Sequence, residues 1–190
     1  MRYFYVGTTA ELEGEAERDA VAAASDCLGR AFGLPMRRIG LPAIDFAHDA
    51  SRRQHASIPV LEMLLAQAPP DAAKLLAVTA RDLFIPVLTF VFGHAQLQGR
   101  AAVISLARLR QEFYGLPEDR EIFLARAAKE ALHESGHMFG LVHCADRACA
   151  MSLSTGVRQI DAKEAHFCGA CSARLRRSVP QPLTPDPDSL

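Results

Sequence analysis

The chain has 190 residues, 49% of them hydrophobic, and a formal net charge of −1. That is apolar side chain enough for one sizeable core with a small appended subdomain, and the near-zero charge gives no support for nonspecific nucleic-acid binding. No apolar run approaches the roughly 18 residues of a membrane span. The N-terminal MRYFYVG lacks the apolar stretch and cleavage site of a signal peptide, so the expectation is a cytoplasmic protein.

In chain order, residues 3–7 (YFYVG) read as a strand. Residues 10–33 carry Leu12, Ala16, Ala20, Ala23, Ala24, Cys27, Leu28 and Ala31 at helical spacing and stop at Gly33 and Pro35. Cys27 there reads as a small buried hydrophobe. A second strand falls within 37–46, followed by a charged loop, HDASRRQH. A helix with Ile58, Leu61, Leu64 and Leu65 on one face ends at Pro69-Pro70. KLLAVT (74–79) is a compact apolar run of the kind that makes a strand buried on both faces. Leu88 to Gly93 and Ala101 to Leu106 are further strands, and the short link through Gln98-Gly99 predicts that they pair antiparallel with one at an edge.

Pro117 with Glu118, Asp119 and Glu121 announces a long helix that delivers His133 to His137 near its end. A last helix from about Asp161 to Arg176 would carry Cys168 and Cys171 near its middle or just before it. The tail from Ser178 (SVPQPLTPDPDSL) has four prolines and little to bury, and is expected to be disordered. Strands alternating with helices imply an α/β fold around a mostly parallel sheet covered on both faces. The order divides the chain into an N-terminal α/β subdomain (1–143), a C-terminal subdomain (144–177) and the tail (178–190).

The chemistry concentrates in HESGHMFGLVH, His133 to His143. On a helix, His133 and His137 project from one face, close enough for both to reach one Zn²⁺ at about 2.0–2.1 Å. Glu134 is near enough to hold a water on the metal and poorly placed as a third ligand. A continuous helix would carry His143 about 240° around and about 9 Å along from His137. The chain must therefore leave the helix and double back, and Gly140 permits it. Three neutral imidazoles, an open position and a carboxylate make the composition of a catalytic zinc site. The ordinary alternative, a solvated helix face, accounts for HExxH but not for Gly140 and His143 at fixed spacing.

Four of the five cysteines pair as Cys144-x4-Cys149 and Cys168-x2-Cys171. They suggest two disulfides in an oxidising compartment or a Cys₄ zinc site in a reducing one, and the cytoplasmic reading favours zinc. Arg174, Arg176 and Arg177 beside them raise a rival, a nucleic-acid- or partner-binding module, although three arginines on a terminal helix are more often a solvated face. A second rival is a zinc-binding scaffold whose hydrolytic site is idle or serves a nonpeptide substrate. His94 could border the cleft; His48, His55 and His166 read as surface or structural, with His166 a possible substitute for a cysteine ligand.

The third histidine, the cysteine pair that follows it, Cys-x-Met at 149–151 and the final Cys-x2-Cys together resemble the archaemetzincins (archaelysins), zinc metallopeptidases of the metzincin clan. RDLFIP, FVFGHA and SLARLR extend the likeness over most of the chain apart from the tail. The resemblance implies a twisted five-stranded sheet with one antiparallel edge strand above the cleft, and an extended peptide substrate bound along that edge. Thr89, Phe90, Val91, Phe92, Gly93 and His94 would be the edge strand. It further implies that His133, His137 and His143 ligate a catalytic Zn²⁺, that Glu134 is the general base, and that Met151 is the Met-turn residue beneath the imidazoles. Cys144, Cys149, Cys168 and Cys171 would hold a second, structural Zn²⁺. The expected function is zinc-dependent hydrolysis of peptide bonds in a peptide or protein substrate.

Overall fold

The computed structural model describes residues 1–178. Strand β1 (Tyr3–Thr9), helix α1 (Glu15–Phe32) and strand β2 (Met36–Leu41) form the first unit, with β1 and β2 parallel. Helix α1 stops where Gly33 adopts φ +63° and returns its N–H to Gly29 O, the left-handed cap that glycine takes without a Cβ clash. The chain continues through β3 (His48–Asp49), β4 (Gln54–Ala56), α2 (Ser57–Gln67), β5 (Ala72–Thr79), β6 (Leu83–Phe84), β7 (Gly93–Ala95) and β8 (Ala101–Ser105). Helices α3 (Arg120–Met138), α4 (Val157–Ala162) and α5 (Gly169–Ser178) follow.

Five strands form the main sheet in the order β2-β1-β5-β8-β7. All neighbours are parallel except β7, which runs antiparallel to β8 at one edge, as expected. Alternation along the strands divides the core. Leu76 and Val78 join Phe4, Val6, Ala102 and Ile104 against α1 and α3, whereas Leu75 and Ala77 join Tyr5, Ala101 and Val103 against Val60, Leu61 and Leu64 of α2. A strand covered on both faces carries no polar alternation, which is why KLLAVT reads as an unbroken apolar run. The first core continues into the C-terminal segment through Cys149, Ala150, Met151, Ile160 and Leu175. Among the described residues, no helix is long and apolar enough to cross a membrane.

Three expectations change. Of the strand expected over 88–93, only Gly93 lies within β7, and just before it Phe92 O accepts from Ser105 N of β8. Pro86 starts a turn in which Leu88 N bonds Ile85 O, Val87 and Leu88 are exposed, and Val91 N is taken by Leu83 O. The charged loop contains the β3–β4 hairpin, which joins β6 in a second sheet of three strands too short to show a period. The single C-terminal helix is two helices. Lys163 ends α4 in an extended conformation, and the following loop is held by Glu164 N to Ala148 O and Ala150 N to His166 O. Cys168 therefore precedes α5 and Cys171 lies in its first turn. Helix α5 reaches Ser178, and the rest of the tail lies outside the described residues.

Candidate active site

Helix α3 starts at an Asp119 cap, whose carboxylate accepts from Ile122 N, and carries His133 and His137 on one face. It ends in a reversal. Gly140 takes φ +87°, its N–H bonds His137 O at 2.9 Å, and Leu141 N bonds Gly136 O at 3.0 Å. That turn returns His143 to the other two histidines, with ring centroids 5.4 Å from His133 and 5.0 Å from His137. One ring nitrogen from each of the three lies within 4.8 Å of the others.

Hydrogen bonds assign the tautomers. His133 Nδ1 donates to Ala150 O and His137 Nδ1 to Leu141 O, each at 2.8 Å. Both Nε2 atoms then carry lone pairs, and they face each other at 3.2 Å. Two proton-free nitrogens at that separation repel unless a cation lies between them, so the donor set fits a metal ion. Burial, reinforced by Lys163 and the neighbouring rings, holds His133 well below the usual 6.5, and burial also lowers His137 and His143. Neutral imidazole is the form that binds metal.

All five cysteines are free thiols. The Sγ atoms of Cys144, Cys149, Cys168 and Cys171 lie within 4.8 Å of one another, and the Cys144–Cys168 pair is 3.8 Å apart, far beyond a disulfide bond of about 2.05 Å. Cys168 N donates to Cys149 Sγ at 3.3 Å. The Cys171 backbone N–H is the main influence bringing the Cys168 thiol down to about 7, so one thiolate is accessible at neutral pH. His166 is not part of this group; its carbonyl instead anchors Ala150 N.

Segment 149–151 touches both clusters. Cys149 belongs to the thiols, Ala150 O accepts from His133, and Met151 is fully buried beneath Gly136, where a side chain would collide with its Sδ. Cys144 N bonds Met151 O at 2.9 Å, tying the strand after His143 to the same segment.

The histidines floor a cleft of about 550 Å³. Glu134 is 6% exposed and lies directly under β7: a Cβ on Gly93 would stand 2.5 Å from Glu134 Cγ. Burial, with Glu130 adding to it and Lys163 opposing, pushes the Glu134 carboxyl well above the ordinary range. His94 also lines the cleft, its Nδ1 2.8 Å from Ser57 Oγ. His48 and His55 face each other across the β3–β4 hairpin, ring centroids 5.0 Å apart and planes tilted by 51°, and do not line it. Arg174, Arg176 and Arg177 are exposed on α5.

Residues 72–177 match the family model of Peptidase family M54. The chain belongs to this family. An archaemetzincin of Methanocaldococcus jannaschii is 43% identical over 139 residues, 72% of this chain and 75% of the relative. The crystal structure of the Methanopyrus kandleri archaemetzincin superposes with a TM-score of 0.81 at 32% identity, covering 93% of this chain and 95% of that one. A zinc-dependent peptidase from Methanocorpusculum labreanum gives 0.75 at 30% identity, covering 90% and 99%. The M54 chain is thus a zinc metallopeptidase of archaemetzincin type.

Sequence reasoning did not single out several residues of this M54 site. Lys163, 1% exposed, places its ammonium 3.3 Å from Glu130 Oε1 and 3.4 Å from His133 Nδ1. Because His133 Nδ1 gives its proton to Ala150 O, Glu130 is the true partner of this cation. Glu130, four residues before Glu134, was visible by helical spacing; a lone lysine in a loop left no signal. At the end of α3, Lys74 Nζ donates to Met138 O and Gly99 O at 2.7 Å each, and Gln98 N bonds His137 O at 2.9 Å. The β7–β8 turn is thereby latched to the metal helix.

Proposed function

We propose that His133, His137 and His143 hold a catalytic zinc, that Glu134 is the general base of peptide-bond hydrolysis, and that Cys144, Cys149, Cys168 and Cys171 hold a second, structural zinc. The observation that carries this reading is the convergence of the three ring nitrogens, two of them held in the metal-binding tautomer by backbone carbonyls, beside a buried carboxylate at the cleft floor. A zinc ion there supplies Lewis acidity toward a water and the scissile carbonyl. Glu134 accepts the proton of the attacking water on a carboxylate oxygen and returns it to the leaving amine nitrogen. Its raised affinity for a proton suits both halves of that transfer. Met151 supports the histidines by packing alone. The substrate is a peptide or protein, and β7, rather than the whole of Thr89 to His94, is its edge strand. Four thiols held at ligand distance support the cytoplasmic setting expected from the sequence.

The test is zinc stoichiometry beside turnover. Wild type should bind two equivalents, His137→Ala one, and Glu134→Ala two with turnover down by about 10²–10⁴-fold. One equivalent in wild type falling to none in His137→Ala would reject the Cys₄ assignment, and undiminished hydrolysis by Glu134→Ala would remove the base.

A further inference from the structure

A second cavity, of about 420 Å³, lies between α1 and α5 and shares no lining residue with the histidine cleft. That volume falls in the range of about 300–1,000 Å³ that small-molecule sites occupy. Each helix gives it one face. Cys27, Arg30 and Ala31 come from α1, and Ser172, Leu175 and Arg176 from α5, both sets spaced i, i+3, i+4. The loop of residues 165–167 closes a third side.

Cys27 and Leu175 are 4% and 6% exposed, and with Ala31 and the half-buried Phe167 they make an apolar floor. The rim is cationic. Arg30 and Arg176 are exposed, one on each helix, and His166 adds its ring from the loop. Among the described residues no aspartate or glutamate lines the cavity, and neither arginine has an ion-pair partner. Arg108, Arg110 and Arg126, by contrast, pair with Asp82, Glu17 and Asp161. Ser172 Oγ already donates to Phe167 O at 3.2 Å, so the arginines and the His166 ring supply the side-chain donors left for a ligand. Guanidinium groups bind carboxylate and phosphate oxygens through paired N–H donors. The apolar floor gains by being covered, so it calls for a body behind the anionic head.

The loop that walls this cavity also supports both metal clusters. His166 O accepts from Ala150 N at 2.9 Å, and Ala150 O accepts from His133 Nδ1 at 2.8 Å. Cys168, one of the four clustered thiols, directly follows Phe167. A molecule seated against residues 165–167 therefore rests on the segment that orients one histidine and presents one thiol.

We propose that this cavity is an effector site for a small organic anion, an oxyanion head on an apolar body, whose binding steadies the loop and slows loss of metal from the clusters. The coupling half rests on the proposed zinc sites; the binding half requires neither zinc nor turnover.

Calorimetric titration of the zinc-loaded full chain with octanoate and with octyl phosphate tests the binding half, with octanol and acetate as body and head alone. At least one amphiphilic anion should bind about tenfold or more tightly than either control, and the tighter of the two identifies the head as carboxylate or phosphate. Arg30→Gln and Arg176→Gln should each weaken binding about tenfold. Ala31→Trp should abolish it by filling the cavity, whereas Arg177→Gln, outside the lining, should leave it unchanged. Octanol binding as tightly as the anions overturns the proposal. So does affinity retained in Ala31→Trp, which would put the anion elsewhere, the histidine cleft included. If Ala31→Trp does not fold, the double variant Arg30→Gln/Arg176→Gln decides by the same criterion. Transfer of zinc to a chelating dye tests the coupling half. Saturating octanoate or octyl phosphate, whichever binds, should slow it about fivefold or more in wild type and not in the double variant. Release unchanged by the bound anion overturns the effector role. Zinc equivalents counted beforehand keep that outcome distinct from a failure of the zinc assignment itself.

Discussion

Lys163 and Glu130 are 1% and 2% exposed, and their charged ends lie 3.3 Å apart. Taking two ions out of water costs several kcal/mol each, and their attraction offsets that only while both are present. Desolvation already raises the Glu130 carboxyl against the pull of Lys163. Lys163→Met should therefore destabilise the protein by about 3–5 kcal/mol in urea unfolding, because it strands a carboxyl in the core. Adding Glu130→Met should recover most of the loss. A single variant as stable as wild type would show that the pair contributes nothing net to the fold. The same residue-scale logic explains Gly93 and Gly136, whose value lies in what their missing side chains admit: Glu134 in one case and Met151 in the other.

Between elements, the two metal clusters share a backbone. His143 precedes Cys144, neighbouring side chains of an extended segment point opposite ways, and Cys144 N is fastened to Met151 O. Ala150 O, one residue before Met151, orients His133. Loss of the thiol cluster should thus loosen both the third histidine and the acceptor of the first. Cys144→Ser should weaken zinc at the histidine site as well, by about 10–100-fold, the usual cost of disturbing groups that orient a ligand. Competitive chelation reads this directly, and wild-type affinity at the histidines would refute the coupling. Helix α3 is held from its far end too, since Lys74 meets the last carbonyls of the helix with a cation and lies 4.7 Å from the Phe139 ring centroid. That lysine sits in the run KLLAVT, where periodicity offers only a buried strand.

For the whole molecule, burial of three histidines makes the metal-free fold sensitive to acid. Their folded-state values lie below the ordinary 6.5. Above about pH 6.5 both states are neutral and the sites are silent. As pH falls below that, the unfolded chain takes up protons that the folded chain refuses, and stability drops until the folded values are passed. The raised Glu134 carboxyl acts with the opposite sign, since the folded state then binds its proton more readily. In chelator-treated protein, the fall of Tm between pH 7 and 5 should be shallower in His137→Phe than in wild type. Parallel slopes would exclude His137 as a source of the acid sensitivity.

What could be read from the chain alone was what short range and periodicity determine. Four-residue spacing on a helix put His133 and His137 on one face, a glycine three residues on marked the reversal, and an unbroken apolar run marked the doubly covered strand β5. Paired cysteines at ligand spacing belong to the same class of signal. Tertiary structure alone decided the rest: that β7 starts at Gly93 after a proline turn, that the last helix breaks at Lys163 to fold around the cysteines, and that Lys163 reaches Glu130 across 33 residues. Such features come from contacts between segments distant in sequence, where strands of two or three residues carry no period and a buried ion pair has no fixed spacing. The pattern along a helix or strand is a local property of backbone geometry, whereas a cleft wall exists only once separate elements have packed.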